Sequence, residues 1–319
     1  MVQEYNKDNF NLAAIDLGSN AIRLLIKNIE RINDEKSEDG YRIVQRKLQF
    51  VRIPLRLGID VFSEGKISKE RELQLIRTIK AFRQLMIIYN VADYRACATS
   101  ALRDAKNGRK ILHKIAKNIG IDIEIVTGME EARIICDNHL EGALADRPNN
   151  LELITNNYLY VDVGGGSTEI SFFVNGQLLQ STSYNAGTLR MLAGGVSEDL
   201  LTQMKCDIQQ MTSGYEHIKI VGSGGNINKL YRIAPKKAVR KNLIPVPVLS
   251  KLYGQLASLS VEQRMLEFDL KPDRADVIVP AAQIFLLVAD ACGAESIIVP
   301  TLGLADGIIN ELYSKINNY

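Results

Sequence analysis

The chain has 319 residues, of which 46 % are apolar and 24 % are charged, and this composition excludes a disordered, collagenous or disulfide-stapled protein. The 39 Lys and Arg residues against 37 Asp and Glu residues give a net charge of +2, without the basic excess of a dedicated nucleic-acid-binding protein. At roughly 150 residues per domain, the length predicts two domains.

The first half of the chain predicts an α/β unit. LAAIDLGSN and AIRLLIKNIE read as two strands joined by a Gly-Ser-Asn turn, and YRIVQRKLQFVRI alternates like a half-buried third strand. Apolar residues at helical spacing predict a helix over 68–90 with Ser68 as its N-cap. YRACATSALRDAKNG predicts a short strand that ends in a loop. A helix near 109–118, a strand in IDIEIVTG and a helix in MEEARIICDNHLEGAL follow.

The second half repeats this order weakly. YLYVDVGGGSTEISFFVNGQ again predicts a strand, a Gly-rich turn and a strand, and aligning Asp16 with Asp162 places Gly18 on Gly164. HIKIVGSGGNINKLYRI predicts a strand, a Gly-rich loop and a helix, SIIVP a strand, and GLADGIINELYSKI the last helix. We therefore expect two α/β domains, 1–127 and 128–300, with 301–319 as a C-terminal helix that packs back on the first domain. A hinge at Gly128 is expected between the two domains.

Cysteine and histidine usage and the apolar runs predict a cytoplasmic protein. The four Cys form no C-x-x-C pair and the three His stand alone, so reduced thiols and no zinc site are expected. The N-terminus lacks a signal-peptide pattern. The most apolar run, 277–289, is too short for a bilayer and predicts a buried helix. No membrane or nucleic-acid partner is expected, and a homodimer follows only from the general frequency of two-fold assemblies.

Three Gly-rich segments predict phosphate binding. Each follows an apolar strand, and two of them begin with Asp. Glycine lets consecutive backbone N–H groups turn towards an anion, and Ser or Thr adds hydroxyl donors. For any single segment, a glycine that merely closes a β-hairpin is an equally good interpretation. The segments are Asp16–Asn20, Asp162–Thr168 followed by Glu169, and Gly222–Gly225.

The acidic residues of these segments predict a divalent metal. A carboxylate at a strand end beside a phosphate loop can hold Mg²⁺ directly or through water, and Asp16, Asp162 and Glu169 are the candidates. Turn capping is the alternative role for Asp. Neither G-x-x-x-x-G-K-[ST] nor the complete dinucleotide fingerprint is present, so a P-loop enzyme and a Rossmann dehydrogenase are not supported.

The chain resembles the exopolyphosphatase and guanosine pentaphosphate phosphatase family, in a short two-domain form. The matching stretches are AAIDLGSNAIRLLI, ATSALRDAKN, IEIVTGMEEARII, YVDVGGGSTEISF, VGSGGNINKL and RADVIVPAAQI. The resemblance implies the actin-like, sugar-kinase-like ATPase fold: two α/β, ribonuclease H-like domains with a cleft between them. Ala21 departs from the family's usual Ser or Thr, TLGLADG lacks the family's Arg, and the C-terminal extension of longer members is missing.

The resemblance also implies residue roles. Glu131 matches the catalytic glutamate, while Asp162 and Glu169 match acidic residues of the metal and water region, here with Mg²⁺ or another divalent cation. Arg103 matches a phosphate-contacting arginine. Gly222, Ser223, Gly224 and Gly225 are expected to approach a nucleoside or further polyphosphate. The expected phosphate-binding residues are Asp16, Gly18, Ser19, Asn20, Arg103, Gly164, Gly165, Gly166, Ser167 and Thr168.

The implied function is a Mg²⁺-dependent phosphoanhydride hydrolase that releases terminal phosphate from inorganic polyphosphate. A guanosine pentaphosphate 5′-phosphohydrolase uses the same chemistry and is the alternative. A kinase of the same fold fits less well, because the GMEEAR stretch matches hydrolases. A non-catalytic nucleotide or alarmone sensor, or an actin-like assembly module, would tolerate the loss of Glu131, which is present.

Overall fold

The structure is a computed structural model that describes residues 8–35, 40–134, 157–240, 242–300 and 303–317. Its first sheet has the strand order β3-β2-β1-β4-β5. The strands β1, β2 and β3 form an antiparallel meander, and β4 and β5 continue the sheet in parallel with β1. The strands are β1 (Asn9–Leu17), β2 (Ile22–Asn33), β3 (Tyr41–Ile53), β4 (Val91–Ala98) and β5 (Glu124–Ile125).

The helices of the first half cover this sheet. Ser68 caps the longest of them, accepting a hydrogen bond from the backbone N–H of Arg71, as its sequence predicts. The first four pack on the sheet through a buried apolar core that includes Ile15, Leu24 and Phe82, and the fifth packs through Ile134 in a separate apolar cluster. The helices are α1 (Leu57–Glu64), α2 (Lys69–Ile88), α3 (Ser100–Asp104), α4 (Gly108–Ile119) and α5 (128–134).

The second sheet repeats the arrangement of the first. Its order is β10-β11-β9-β6-β7-β8, again an antiparallel three-stranded meander followed by two parallel strands, β9 and β11, while the edge strand β10 is antiparallel to β11. This shared order agrees with the predicted internal repeat. The strands are β6 (Asn157–Val163), β7 (Thr168–Val174), β8 (Gln177–Tyr184), β9 (Lys219–Ser223), β10 (Leu243–Pro245) and β11 (Ser296–Ile298).

Eight further helices follow the second meander. The apolar α12 lies in the core of the second sheet, with Phe285, Ile284 and Val288 fully buried. The helices are α6 (Thr188–Leu192), α7 (Glu198–Thr212), α8 (Gly224–Ile233), α9 (Val246–Ala257), α10 (Val261–Phe268), α11 (Pro272–Ala275), α12 (Ile278–Cys292) and α13 (Leu304–Asn317).

The C-terminal helix α13 packs on the first sheet rather than on the second. Its Ile308 and Ile309 are fully buried and share an apolar cluster with Leu12 and Ala14 of β1. An ion pair of 2.8 Å between Lys27 and Asp306 adds to this contact. The proposed division of the chain at 127/128 stays a prediction, because these contacts describe packing and not independent folding.

Several local predictions are wrong. The ATSALR segment is not a loop, because α3 begins at Ser100. The GSGG segment is not a loop either, because β9 runs to Ser223 and α8 begins at Gly224. The strand in IDIEIVTG is only Glu124–Ile125. The strand predicted in YRIVQRKLQFVRI is present as β3, with half-buried and exposed side chains.

The apolar run near α12 also departs from its predicted length. The helical segment Pro272–Cys292 has 21 residues and a mean hydropathy of 1.7 in its most apolar window, which is enough to cross a membrane by length and composition alone. The expectation that it is too short is therefore wrong. However, 56 % of that window is buried inside the protein, which is typical of a core helix.

The described cysteines Cys97, Cys206 and Cys292 form no disulfide, as expected. Cys136 and His139 lie outside the described residues.

Candidate active site

The two predicted phosphate loops are the turns of two equivalent β-hairpins. In the β1–β2 hairpin, Asp16 lies directly opposite Arg23, and the two side chains form an ion pair. In the β6–β7 hairpin, Asp162 lies directly opposite Glu169. Opposite charges in this register stabilise a hairpin, whereas like charges destabilise it. In the first hairpin, Arg23 therefore neutralises the charge of Asp16. In the second hairpin, the two facing carboxylates need a bound proton or a cation to offset their repulsion.

Glu131 brings a third carboxylate to the second hairpin. The helix α5 that carries it is capped by the preceding Thr127, whose hydroxyl accepts a hydrogen bond of 3.1 Å from the N–H of Glu130. One carboxylate oxygen from each of Glu131, Asp162 and Glu169 lies within 4.8 Å of the other two. We call these three side chains the carboxylate cluster.

Because the carboxylate cluster is largely buried, keeping all three side chains ionised costs free energy. Burial and the neighbouring charges of Glu169 and Asp162 raise the pKa of Glu131 well above its usual value. Burial raises the pKa of Asp162 to about 6, and burial with the charge of Asp162 raises that of Glu169 to about 7. The cluster therefore holds extra protons near neutral pH unless a cation replaces them.

The carboxylate cluster fits a divalent cation. The Oε2 atoms of Glu131 and Glu169 are buried without a hydrogen-bond partner, although such acceptors normally have one. A cavity of about 10 Å³ lies beside Asp162 and Glu169, which is room for one water-sized occupant. Carboxylate oxygens are the ligands that Mg²⁺ prefers. The described residues thus offer the donors and the space that a Mg²⁺ ion requires.

Two arginines lie beside the carboxylate cluster. Arg103, at the end of α3, donates a hydrogen bond of 3.1 Å to the carbonyl of Val126, and its charge acts on both Glu131 and Glu169. Arg23 remains within electrostatic reach of Asp162 and Glu131 although it pairs with Asp16. The predicted phosphate-contacting Arg103 is thus placed near the predicted catalytic and metal residues.

The loop backbones provide donors for an anion. In the described part of the chain, the backbone N–H groups of Ser19, Asn20, Gly165 and Gly166 donate no hydrogen bond to the backbone. Consecutive backbone N–H groups that donate no other hydrogen bond can form an anion-binding concavity. The turns are closed by other donors, because Gly18 N–H donates to Ala21 and Gly164 N–H donates to Ser167.

The hydroxyl groups of the two loops mostly have structural partners. Ser19 Oγ hydrogen-bonds to Ser100 Oγ at 2.8 Å and accepts from the N–H of Ala101 at 3.1 Å, which holds the first loop against α3. Thr168 donates its hydroxyl to the carbonyl of Ala186. Ser167 is buried beside them. The phosphate-binding role predicted for these hydroxyl groups therefore suits the backbone N–H groups of the loops better, because the hydroxyl groups already have partners.

The two loops face each other across the cleft. A Cβ atom at Gly165 would lie 3.0 Å from Ser19 Cβ and 3.2 Å from Asn20 N. Glycine at position 165 therefore favours the close approach of the two loops, since a larger side chain would push them apart. An anion between the loops would meet donors from both sheets.

We expect Gly165→Val to abolish binding of a short polyphosphate while the chain stays folded. The branched side chain would fill the space between the loops, whereas the β6–β7 ladder does not need residue 165. Calorimetric titration with tripolyphosphate, alongside circular dichroism, measures both effects. Gly254→Val is the control, since a Cβ at Gly254 meets nothing within 4 Å. Wild-type affinity in a folded Gly165→Val protein would contradict the loop assignment.

Some residues of the Gly222–Gly225 segment lie beside the carboxylate cluster, and others pack in the apolar core. A Cβ at Gly224 would lie 2.3 Å from Asp162 Oδ1, so this glycine lets the start of α8 pack against the carboxylate cluster. Ser223 Oγ is buried without a partner beside the same small cavity. Gly222, in contrast, lies against Phe285 and Ile297 of the apolar core. Ser223 and Gly224 thus lie beside the carboxylate cluster, whereas Gly222 lies in the apolar core, and the ligand contact of the segment stays a prediction.

A further arginine, Arg274, lies in the cleft and is not among the residues predicted from the sequence. Arg274 of α11 donates to Asn226 Oδ1 at 2.9 Å and packs on Gly225. Burial and the positive charges of Arg52 and Arg23 lower the pKa of Arg274. Close to it, Asn20 Nδ2 donates to the carbonyl of Asp273 at 3.2 Å. Arg274 lies within the quoted RADVIVPAAQI stretch, which was the available signal for it.

Neighbouring glutamates of α5 have different surroundings. Glu130 pairs with Arg95 Nη2 at 2.9 Å, on the side of α5 away from the carboxylate cluster. Arg95 also pairs with Glu311 of α13, and Arg133 Nη2 lies 2.6 Å from the same carboxylate. Arg95 therefore links the helix that carries Glu131 to α13.

We expect Arg95→Gln to lower the stability of the folded chain by up to about 3 kcal/mol, because it leaves the largely buried Glu311 with one exposed partner. Its effect on activity should fall on kcat more than on KM, since Arg95 positions α5 without reaching the cleft. Urea unfolding and steady-state kinetics measure both. Arg133→Gln is the control and should cost less than about 1 kcal/mol, because the side chain of Arg133 is 52 % exposed. Equal losses in the two variants would contradict this role.

Solved structures with the same architecture define the class of protein. The Ppx/GppA family member of Aquifex aeolicus aligns with a TM-score of 0.71 at 23 % identity, over 97 % of this chain and 98 % of that one. An exopolyphosphatase from Cytophaga hutchinsonii aligns with a TM-score of 0.78 at 22 % identity, over 96 % and 98 %. At these identities the comparison shows the fold alone, and the predicted two-domain, actin-like α/β class is confirmed.

Sequence comparison identifies the family of this chain. A model of the Ppx/GppA phosphatase family matches residues 32–316, and the chain belongs to this family. Exopolyphosphatase 1 of Mycobacterium bovis is 30 % identical over 190 residues, which cover 59 % of this chain and 49 % of that protein. The guanosine-5′-triphosphate,3′-diphosphate pyrophosphatase of Photobacterium profundum is 24 % identical over 326 residues, covering 96 % and 60 %. The chain spans about half to three-fifths of the length of these curated relatives.

Proposed function

We propose that this chain is a divalent-cation-dependent phosphoanhydride hydrolase that releases the terminal phosphate of inorganic polyphosphate. The observation that carries the proposal is the buried carboxylate cluster, with two unpartnered oxygens, beside two loops that present free N–H groups. Membership of the Ppx/GppA phosphatase family supports it. Mg²⁺, held by Asp162 and Glu169, would neutralise charge on the phosphate oxygens.

The residues of the chain fit the remaining needs of this reaction. The transferring phosphoryl group requires positioning and charge neutralisation rather than a covalent intermediate. The N–H groups of both loops would bind the terminal phosphates, and Arg103 would neutralise their charge from the first domain. Arg274 would bind the next phosphates along the chain, because its guanidinium can hold phosphate oxygens in a bidentate way.

Glu131 is proposed as the general base. Its Oε2 atom, which has no partner, would accept the proton of a water whose oxygen attacks the terminal phosphorus. The bond from this phosphorus to the bridging oxygen breaks, and that oxygen leaves with the shortened chain. The raised pKa of Glu131 suits this role, because a base whose pKa is closer to the working pH accepts a proton more readily.

The second candidate substrate is guanosine pentaphosphate, from which the 5′ terminal phosphate would be removed. The match to the Photobacterium profundum pyrophosphatase supports it, because this match covers 96 % of the chain. The chemistry at the carboxylate cluster would be the same.

Phosphate release from tripolyphosphate, long-chain polyphosphate, guanosine pentaphosphate and ATP, each with Mg²⁺, tests the proposal. The highest kcat/KM is expected for a polyphosphate. A preference for guanosine pentaphosphate would select the second candidate. Phosphate transfer from ATP to an acceptor without hydrolysis of any polyphosphate would instead indicate a kinase and contradict both.

A further inference from the structure

A basic groove lies outside the cleft, on the helical layer of the first sheet. It encloses about 860 Å³ between the start of α2 and one face of α4. Its acidic members are Glu64 and Glu72. Its basic members are exposed and outnumber the acidic ones: Lys66, Lys69, Lys110, His113, Lys114 and Lys117. We call this surface the lysine groove.

The lysine groove carries positive charge that its acidic residues do not neutralise. Glu72 is neutralised within the groove, because Lys69 Nζ lies 3.0 Å and Lys114 Nζ 2.9 Å from its carboxylate oxygens. In the described part of the chain, Lys66, Lys110 and Lys117 have no ion-pair partner. Three lysines are thus available to an anionic ligand without breaking an existing ion pair.

The walls of the lysine groove are held in place. Asn107 donates to the carbonyl of Ile67 at 2.8 Å and accepts from the N–H of the same residue at 2.9 Å, which ties the start of α4 to the start of α2. Ser68 N–H donates to Asp60 Oδ2 at 2.9 Å. Ile67 and Ile111 are buried beneath the surface. The groove therefore exists before any ligand binds, which lowers the ordering cost of binding.

The helix α1 connects the lysine groove with the first phosphate loop. Gly58, in its first turn, donates its N–H to the carbonyl of Ser19 at 2.9 Å, and Glu64 at its other end lines the groove. Eight helical residues span about 12 Å. A chain molecule whose end lies at the loops needs only a short extension along α1 to reach the groove.

We propose that the lysine groove binds a distal stretch of an inorganic polyphosphate chain whose terminal phosphate lies at the carboxylate cluster. This inference rests on the proposed function and specifies its substrate as a chain long enough to reach both places. The lining residues include no Phe, Tyr or Trp, the large aromatic side chains on which single-stranded nucleic acids stack their bases. A ligand made of phosphates alone needs only the lysines.

The test compares two double variants of the full chain. Lys110→Glu with Lys117→Glu reverses two free charges of the groove. Lys80→Glu with Lys251→Glu makes the same change in net charge at exposed helical lysines that do not line it. For the groove variant, KM for long-chain polyphosphate should rise about tenfold relative to the control variant. For tripolyphosphate, kcat and KM should stay within about twofold, because so short a chain remains at the loops.

Binding measurements separate failure of this inference from failure of the proposed function. Calorimetric titrations with long-chain polyphosphate and with single-stranded RNA of matched charge are made on the wild type and on both variants. Loss of polyphosphate affinity in the groove variant alone supports the inference, even if the wild type hydrolyses no polyphosphate and the proposed function fails. Equal polyphosphate affinity and equal KM in both variants would overturn it. Loss of RNA affinity alone would overturn it in favour of a nucleic-acid ligand.

Discussion

Replacing Glu131 by Gln is expected to lower the rate of phosphate release by about 10²–10⁴-fold, the usual range for loss of a general base. Gln keeps the shape of the side chain but removes its negative charge and its basicity. Substrate affinity should persist or increase, because one carboxylate of the cluster no longer repels the phosphates. Single-turnover measurements at saturating Mg²⁺ isolate the chemical step from any change in cation affinity.

Glu130→Gln is the matched control for this experiment. Glu130 precedes Glu131 on the same helix, but its carboxylate pairs with Arg95 and does not enter the carboxylate cluster. Its removal should change turnover by less than about tenfold. If Glu130→Gln is the inactive variant, or if both variants keep wild-type turnover, the assignment of Glu131 as the base is wrong.

Removal of divalent cations is expected to abolish phosphate release and to make the stability of the folded chain decrease between about pH 4 and pH 7. Burial raises the pKa of Asp162 to about 6 and that of Glu169 to about 7, above the unfolded values near 4. The folded chain then binds more protons than the unfolded chain between about pH 4 and pH 7. This contribution to the free energy of unfolding is therefore present at acid pH and decreases as pH rises through these pKa values.

Thermal unfolding with EDTA and with Mg²⁺, at pH 5.5 and pH 8, measures this effect. Mg²⁺ should raise the midpoint more at pH 8, since it must displace protons from the cluster at pH 5.5. Glu169→Gln serves as the reference variant and should show a smaller pH dependence in EDTA. Full activity after exhaustive chelation, or equal effects of Mg²⁺ at both pH values, would contradict a metal site at these carboxylates.

The parts of the site that depend on one hairpin could be predicted from the sequence. Asp162 and Glu169 flank a short Gly-rich turn, so an antiparallel ladder places them opposite each other, as observed. Extending the alignment of the two halves by a few residues sets Arg23 on Glu169. That comparison would have predicted the internal ion pair of Asp16 and Arg23 in the first hairpin.

The parts that depend on tertiary packing could not be derived from local patterns. The family resemblance singled out Glu131, but its meeting with the second hairpin depends on the orientation of α5, which Arg95 and α13 hold from behind. The position of Arg274 depends on how α11 packs against the first sheet. The Gly222–Gly225 segment was predicted to be a loop because glycine is common in turns. Here small residues serve a close approach of α8 to β6 instead.

The packing of α13 on the first sheet has a consequence for synthesis of the chain. Its contacts join residues that lie far apart, by 216 positions for Arg95 and Glu311 and by 265 for Gln45 and Asn310. At about 5–20 residues per second, a ribosome needs on the order of 10–40 s to travel the shorter of these separations. During that interval the apolar face of β1 around Leu12 and Ala14 lacks its cover. The growing chain therefore exposes an apolar strand surface until α13 has been synthesised, which favours aggregation during that time.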